Sequence, residues 1–430
     1  PSSASDSFQL FDGKIGTGIA LIERPRDNPV MTADDRVAGK ETCFVEGDFS
    51  IQPPTTPGSA SGTTGRTPCE RALLPAALSR TLSSTNSTTR YTPISTAIPT
   101  ANLRFWQGGL YWDITGGNAN ITALRMAEGE QFSASGWRLE GPFSSADDVD
   151  EDDVPTDGDV SAQVEPIVIS ASNSVARIFQ GDSSTALPLF VYCRSMVIGL
   201  GNEAKVTEFT QLTKSGVVKR KGTFEMTIAR TDLADFNPWT ARKAGTIIRG
   251  DFAVVDDDNT RYSRLFFRGK IDAIEVMDED GWFGVKLSGR CLATPGSAGD
   301  DYGIEFGLDS LRLIGDLPDQ AAGAYSQRLS LQGIYGSAVT YTVHSGSLPG
   351  GCSLNSATGV VSGTATAGTT TCVIRATTTD LAGNTSAVVS DSVAVSTTPT
   401  DAPVVTITED SNNNGFIKIG RASCRERVSS

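Results

Sequence analysis

Residues 222–230 read Gly222-Thr-Phe-Glu-Met-Thr-Ile-Ala-Arg230, a stretch in which apolar and polar side chains alternate. Successive side chains of a β-strand point to opposite faces, so this alternation predicts a strand with one buried face. Similar stretches follow at residues 248–255, 261–268 and 284–289, and the polar tip at residues 256–259 predicts a hairpin. The chain is therefore expected to be mainly β.

One short helix is predicted between these strands, over residues 237–245. Asn237 is a typical N-cap, Pro238 suits the first helical position, and Gly245 suits the residue that ends a helix. Further upstream, the Ala-rich segment at residues 67–82 predicts either a short helix or an ordered loop.

The region before residue 145 has a similar layout. Gly108-Gly109 and Gly116-Gly117 predict turns of a β-meander. The strand-like segments around them are residues 102–107, 110–115, 119–125 and 131–139.

Length and charge exclude several classes of protein. A chain of 430 residues has room for two to four domains. Its net charge of −14 argues against a surface that wraps nucleic acid, which needs clusters of Lys and Arg. No apolar stretch is long enough for a membrane helix, and the N-terminus has no signal-peptide pattern. Pro1 stands in place of an initiator Met, so the true start is expected to be missing.

An acidic run between Asp147 and Asp159 carries almost no apolar side chains, which predicts a solvated linker. A calcium-binding cluster is the alternative, although the spacing of the carboxylates is irregular. The seven cysteines form no Cys-x-x-Cys pair, which disfavours a zinc site and favours free thiols.

Sequence patterns for catalysis are absent. The one histidine, His344, cannot complete a Ser-His-Asp or Cys-His arrangement in the larger region and is expected at the surface. The glycines at 13, 16 and 18 lack the spacing of a nucleotide loop. The acidic residues 278–280 precede Gly281 and indicate a turn rather than an acid–base pair. We therefore expect no catalytic residue.

Residues 348–380 resemble the immunoglobulin-like domain found in phage and bacterial surface proteins. The matching positions are Leu348, Pro349, Leu354, Thr358, Gly359, Ser362, Gly363, Thr364, Ala376, Thr377 and Asp380. Gly359 and Gly363 suit tight turns around a Val360-Val361 pair that can enter the core. Cys352 and Cys372 occupy positions that are often apolar in that family, so buried thiols are expected, with a cross-strand disulfide as the alternative.

The first 300 residues are similar to tail-tube proteins, also called major tail proteins, of long-tailed phages. The segments that carry this resemblance are residues 110–124, 137–143, 195–203 and 232–246. The resemblance implies β-sandwich folds, each flanked by a helix, whose rings enclose a DNA channel. The expected organisation is a first tail-tube fold (20–145), an acidic linker (146–164), a second tail-tube fold (165–308), an immunoglobulin-like domain (309–396), a linker with the start of a truncated repeat (397–418) and an artefactual tail (419–430).

The resemblances imply a structural subunit of a virion tail, assembled in the host cytoplasm. It would associate with itself in rings and tubes. The similar layout of the two halves favours a trimer of pseudo-sixfold symmetry over a hexamer. Other tail proteins are further partners, DNA passes through the lumen without specific contacts, and the immunoglobulin-like domain is expected to contact host-surface glycans. A secreted or surface β-sandwich adhesin is the main alternative, and a carbohydrate-active enzyme with a binding module is the third.

The C-terminal segment contains an incomplete calcium loop. Asp410, Asn412 and Asn414 are candidate oxygen ligands for Ca²⁺, with Gly415 at the sharp turn, but Arg421 stands where Glu is required. No other cofactor is expected. The residues from Ile419 onward resemble the translation of a sequencing adapter, which predicts that residues 419–430 do not belong to the natural protein.

Overall fold

The computed structural model forms two compact units, which are described separately below. The first unit comprises Pro1–Leu311, Gln332–Ala338 and Thr378–Ser386, and the second comprises Arg312–Leu331, Val339–Thr377 and Ala387–Ser430. The structure describes residues 10–23, 36–60, 65–83, 87–107, 110–148, 167–182, 187–209, 212–256, 261–279, 282–295, 299, 301–308, 312–314, 317, 322–332, 334–366, 368–379, 385–390 and 393–397.

The first half of the first unit contains eight described strands and a short helix, α1 (Glu70–Leu73), which continues as a 3-10 turn (Leu74–Ala76). The strands are β1 (Leu10–Glu23), β2 (Arg36–Ser50), β3 (Leu78–Ser83), β4 (Thr88–Pro93), β5 (Ala101–Gln107), β6 (Leu110–Asn120), β7 (Ala123–Ala127) and β8 (Ser133–Asp148).

The second half contains the helix α2 (Pro238–Ala244) and ten described strands. These are β9 (Ser174–Gln180), β10 (Pro188–Val191), β11 (Cys193–Gly199), β12 (Glu203–Phe209), β13 (Leu212–Lys219), β14 (Thr223–Ala229), β15 (Ile248–Val255), β16 (Arg261–Glu279), β17 (Trp282–Cys291) and β18 (Tyr302–Leu308).

One 16-stranded antiparallel sheet runs through both halves. Its main path is β1-β2-β8-β7-β11-β14-β17-β16-β15-β9-β10, and β12 and β13 form a separate hairpin. The alternating apolar residues quoted first, Phe224, Met226 and Ile228, are completely buried in one extensive core. The face pattern of β14 therefore follows directly from its sequence.

Each half contains a long hairpin before its helix and a second hairpin, called the closing hairpin, after it. In the first half Ile15 pairs with Val45, and in the second Met196 pairs with Met226, so the paired residues are 30 positions apart in each case. The second strand of each long hairpin then pairs with the last strand of the closing hairpin, β2 with β8 and β14 with β17. The two halves thus share this pairing pattern, although the number of strands around it differs.

The prediction of a helix over residues 237–245 is confirmed. The Asn237 side chain accepts a hydrogen bond from the Thr240 amide at 3.0 Å, and Gly245 ends the helix with a φ of 63°. The segment at 67–82 combines a helical turn with the start of β3.

Two predictions are wrong, a turn at Gly116-Gly117 and the start of the acidic linker. Gly116 and Gly117 do not form a turn, because β6 runs through them with an irregular register between Ile114 and Asn118. The acidic linker does not begin at residue 146, since β8 extends to Asp148 and pairs with Leu110. Backbone pairing with β6 requires no apolar side chain, so acidic residues can continue the strand. Residues 149–166 lie outside the described part.

The second unit consists of short strands in separate sheets. One sheet has the order β20-β24-β23, a second has β22, β26 and β27 around β25, and β19 pairs with β21 in a third. The strands are β19 (Arg312–Ile314), β20 (Gly323–Arg328), β21 (Ser330–Gln332), β22 (Thr340–Gly346), β23 (Cys352–Leu354), β24 (Val360–Ala365), β25 (Gly368–Thr379), β26 (Thr385–Val389) and β27 (Val393–Thr397).

The core of the second unit includes Tyr325, Tyr341, Val361 and Ile374, all buried. Val361 is completely buried and Val360 is half-buried, which agrees with the core position expected for this pair. Gly359 has a φ of 71°, and a Cβ there would overlap the Leu329 carbonyl oxygen. Only glycine fits this turn without strain.

Candidate functional site: sheet edges of the first unit

The two halves are joined by direct pairing of β7 with β11. Leu124 pairs with Ile198 and Met126 with Met196, and all four side chains are completely buried. Leu124 also pairs with Ala134 of β8, so β7 has a partner strand on both of its edges. The junction therefore extends one core across both halves and leaves no exposed strand edge there.

The corresponding strand of the second half has an open edge. Gly269 of β16 pairs with Ile248 of β15 on one side and with Cys291 of β17 on the other. Beyond Gly269, β17 continues along its edge, but no described strand continues along the edge that β15 occupied. We call the segment Ile274–Asp278 of β16 the open edge.

Apolar side chains lie exposed at the open edge. Val276 pairs with Val285, which is buried, so both point to the core face of the sheet. Val276 is nevertheless 66% exposed, and Phe283, which pairs with Asp278 on the same face, is 58% exposed. Helix α2 packs against β16, with Gly245 beside Lys270, at the start of the segment beyond Gly269.

A second unpaired edge belongs to β1, at one end of the sheet path. Among the described residues β1 pairs with β2 alone. Ile15 is half-buried and packs against the core, while Phe11 and Lys14 are exposed. Strand edges that carry apolar side chains are sites where another strand can add.

A ladder of alternating charges crosses five strands of the sheet. Arg177 donates two hydrogen bonds to Asp251, at 2.9 and 3.1 Å, and both side chains are buried. Arg264 lies 3.3 Å from Glu305 and 3.9 Å from Asp251, and Arg90 also bonds Glu305. The ladder therefore includes β4 of the first half as well as β9, β15, β16 and β18 of the second.

The ladder holds Glu305 in its ionised form. Burial by itself raises the pKa of this carboxyl, but the nearby guanidinium groups of Arg264 and Arg90 outweigh it and lower the pKa. The Tyr262 hydroxyl donates a further hydrogen bond at 2.8 Å. Burial and the Glu305 charge raise the pKa of Tyr262, which stays protonated. These groups stabilise one another.

A second polar cluster fixes α1 against β3 and β4. Glu70 accepts a hydrogen bond from the Tyr91 hydroxyl at 2.6 Å and lies 3.2 Å from Arg80. Burial raises the pKa of the neighbouring Cys69 thiol to about 11. This thiol is therefore protonated at neutral pH and is a poor nucleophile.

The site residues predicted from the sequence lie in different parts of the chain. Asp410, Asn412 and Asn414 lie outside the described residues, so the calcium loop stays a prediction. Cys352 is partly exposed in β23 and Cys372 is buried in β25. Both are free thiols in this structure, and the disulfide alternative stays a prediction.

His344 is exposed on β22, as predicted, with its ring 3.4 Å from Arg375. In the described part of the chain, no three His, Cys, Asp or Glu residues are grouped so that they could hold a metal ion. None of the described helices has the length and apolar character needed to span a membrane.

Sequence reasoning missed the residues of the open edge. The sequence analysis predicted a turn at residues 278–280. It made no prediction for the apolar residues Ile274, Val276 and Phe283 nearby. Apolar residues continue to alternate after Arg268, at Ile271 and Ala273 and then at Ile274 and Val276. This alternation predicts a strand that extends beyond residue 268.

Comparison with known proteins supports part of this picture. Residues 314–412 match the family model He_PIG, described as Putative Ig domain. The C-terminal part of the chain therefore contains an immunoglobulin-like domain. No curated protein matches the chain.

Proposed function

We propose that the chain is a structural subunit of a phage tail tube, which polymerises into stacked rings around a DNA-ejection channel. The immunoglobulin-like domain would be displayed outside the tube. In this role no residue is catalytic, and the chain belongs to the virion tail after assembly in the host cytoplasm.

The observation that carries the proposal is the β7–β11 junction. Within one chain, two halves that share a pairing pattern pair edge to edge and form a continuous sheet. A ring that encloses a channel needs this kind of joint, repeated until the sheet closes. This junction is the kind of contact that the proposed ring would repeat between chains.

Charge supports the same role. A net charge of −14 favours weak interaction with DNA, because carboxylates repel phosphates and let a duplex slide. DNA would pass through the lumen without sequence-specific contacts. Other tail proteins would bind the ends of the tube, and the immunoglobulin-like domain would contact host-surface glycans.

Negative-stain electron microscopy of the purified full chain tests the proposal. We expect rings or hollow tubes with a bore of about 20 Å or more, wide enough for duplex DNA. Monodisperse single particles at high protein concentration would contradict the proposal and favour a β-sandwich adhesin, which requires no ring.

A further inference from the structure

The β7–β11 junction provides a template for a contact between copies. β7 lies beside β8, and β11 is the first strand of the second long hairpin. The matching elements elsewhere in the chain are the part of β16 beyond Gly269, which lies beside β17, and β1, which begins the first long hairpin. Each of these two strands has an edge without a described partner strand. Other strands, among them β3, β5 and β10, also have one, but they are not the counterparts of β7 and β11.

The β7–β11 junction and the open edge differ in the burial of their apolar side chains. At the junction, Leu124 and Met126 are completely buried, and β11 pairs beside them in the same sheet. At the open edge, Val276 points to the same core face and is 66% exposed. Apolar side chains on an unpaired edge strand stay exposed to water. A strand added at that edge would bury them and stabilise the sheet.

We infer that the open edge of β16 pairs with β1 of a second copy of this chain, in the manner in which β7 pairs with β11. This rests on the proposed function and names the ring contact. Ile15 of the incoming strand takes the place of Met196, because the two hairpins have the same spacing around these residues.

Such a contact is head-to-tail, since it joins two different surfaces of the chain. Head-to-tail contacts form closed rings when the rotation between copies closes, and open filaments when it does not. Internal and intermolecular junctions would alternate around a ring. Three chains would then supply six similar halves, the pseudo-sixfold arrangement expected from sequence.

Two edge variants of the full chain test the pairing without assuming its exact register. Val276→Lys places a charge at the open edge, and Ile15→Lys places one at the β1 edge. Each variant alone is expected to remain a monomer of about 45.2 kDa at concentrations where the unmodified chain assembles. Mass photometry would measure the species present, and thermal melting would show that each variant is folded.

Mixing the two variants gives the decisive result. The intact β1 of Val276→Lys can meet the intact open edge of Ile15→Lys, so the mixture is expected to form a dimer of twice the monomer mass and nothing larger. Val343→Lys, at a partly exposed valine of the second unit, is the matched control and should assemble like the unmodified chain.

Different outcomes would overturn different claims. Normal tubes from Val276→Lys would refute the pairing and leave the tube proposal intact. Dimers of Ile15→Lys alone would show that the open edge pairs with itself. A mixture that stays monomeric would exclude contact between these two edges, and an unmodified chain that never assembles would remove the proposed function as well.

Discussion

At the residue scale, the pair Arg177–Asp251 should be the most sensitive ionic contact in the sheet. Both side chains are buried, so Asp251→Asn would leave the Arg177 charge without its partner. Removal of one member of a buried pair costs about 3–5 kcal/mol of the free energy of unfolding. Urea unfolding measures this loss.

The matched control is Asp272→Asn, which breaks the exposed Asp272–Arg290 pair by the same chemical change. Exposed pairs contribute little, and the urea midpoint of this variant should equal that of the unmodified chain. Equal midpoints for the two variants would contradict the stabilising role assigned to the buried ladder.

Glu305 gives the ladder a pH dependence. Its pKa is lowered in the folded state from an ordinary value of 4.5, so the ionised form stabilises the fold. This contribution is complete above the unfolded pKa and disappears as the pH falls through the folded pKa. We expect the free energy of unfolding to fall with acidification below about pH 5, and to fall less steeply in Glu305→Gln. Identical slopes would show that Glu305 is not responsible.

The residues of the ladder could not be predicted as a group from sequence. Asp251 and Arg264 lie on consecutive strands, but Arg177 and Glu305 come from strands distant in the chain, and pairing in register brings them together. By contrast, the burial of Phe224, Met226 and Ile228 follows from local alternation, because it depends only on strand geometry.

At the element scale, α2 depends on its cap. The Asn237 side chain satisfies the Thr240 amide, which otherwise has no partner within the helix. Asn237→Ala should lower the free energy of unfolding by about 1 kcal/mol, while Asn237→Asp should retain most of the stability because Asp caps equally well. Chemical denaturation of both variants measures the difference, and equal losses would argue against capping.

Gly359 fixes a turn in the immunoglobulin-like domain. Gly359→Ala adds the strain of a left-handed conformation, about 1–2 kcal/mol, to an overlap with the Leu329 carbonyl. Gly129→Ala is the control, since Gly129 has a similar φ of 77° but open space around it. Calorimetry should show a larger loss of stability for Gly359→Ala, and comparable losses would exclude the overlap.

Elements with local signals were predictable, and those fixed by distant contacts were not. The N-cap, proline and glycine around α2 lie within nine residues, so its ends could be read directly. Gly116 and Gly117 look like a turn by the same local rules, yet pairing of β6 with β8 keeps them in a strand. Tertiary pairing overrides local propensity at that position.

At the scale of the whole molecule, the sequence indicated two halves of similar layout and an immunoglobulin-like domain, but not the continuous sheet. The β7–β11 junction joins residues about seventy positions apart, and nothing local to either strand identifies the partner. The open edge likewise depends on which strands pair with β16, and the sequence around β16 does not specify its partners.

Electron cryomicroscopy of the assembled full chain, reconstructed without imposed symmetry, tests the central claim most directly. The account predicts a ring of three chains, with six similar halves around a bore of about 20 Å or more and a sheet that continues from β16 of one chain into β1 of the next. A ring of six chains, with one chain at each sixfold position, or particles without a bore would contradict it.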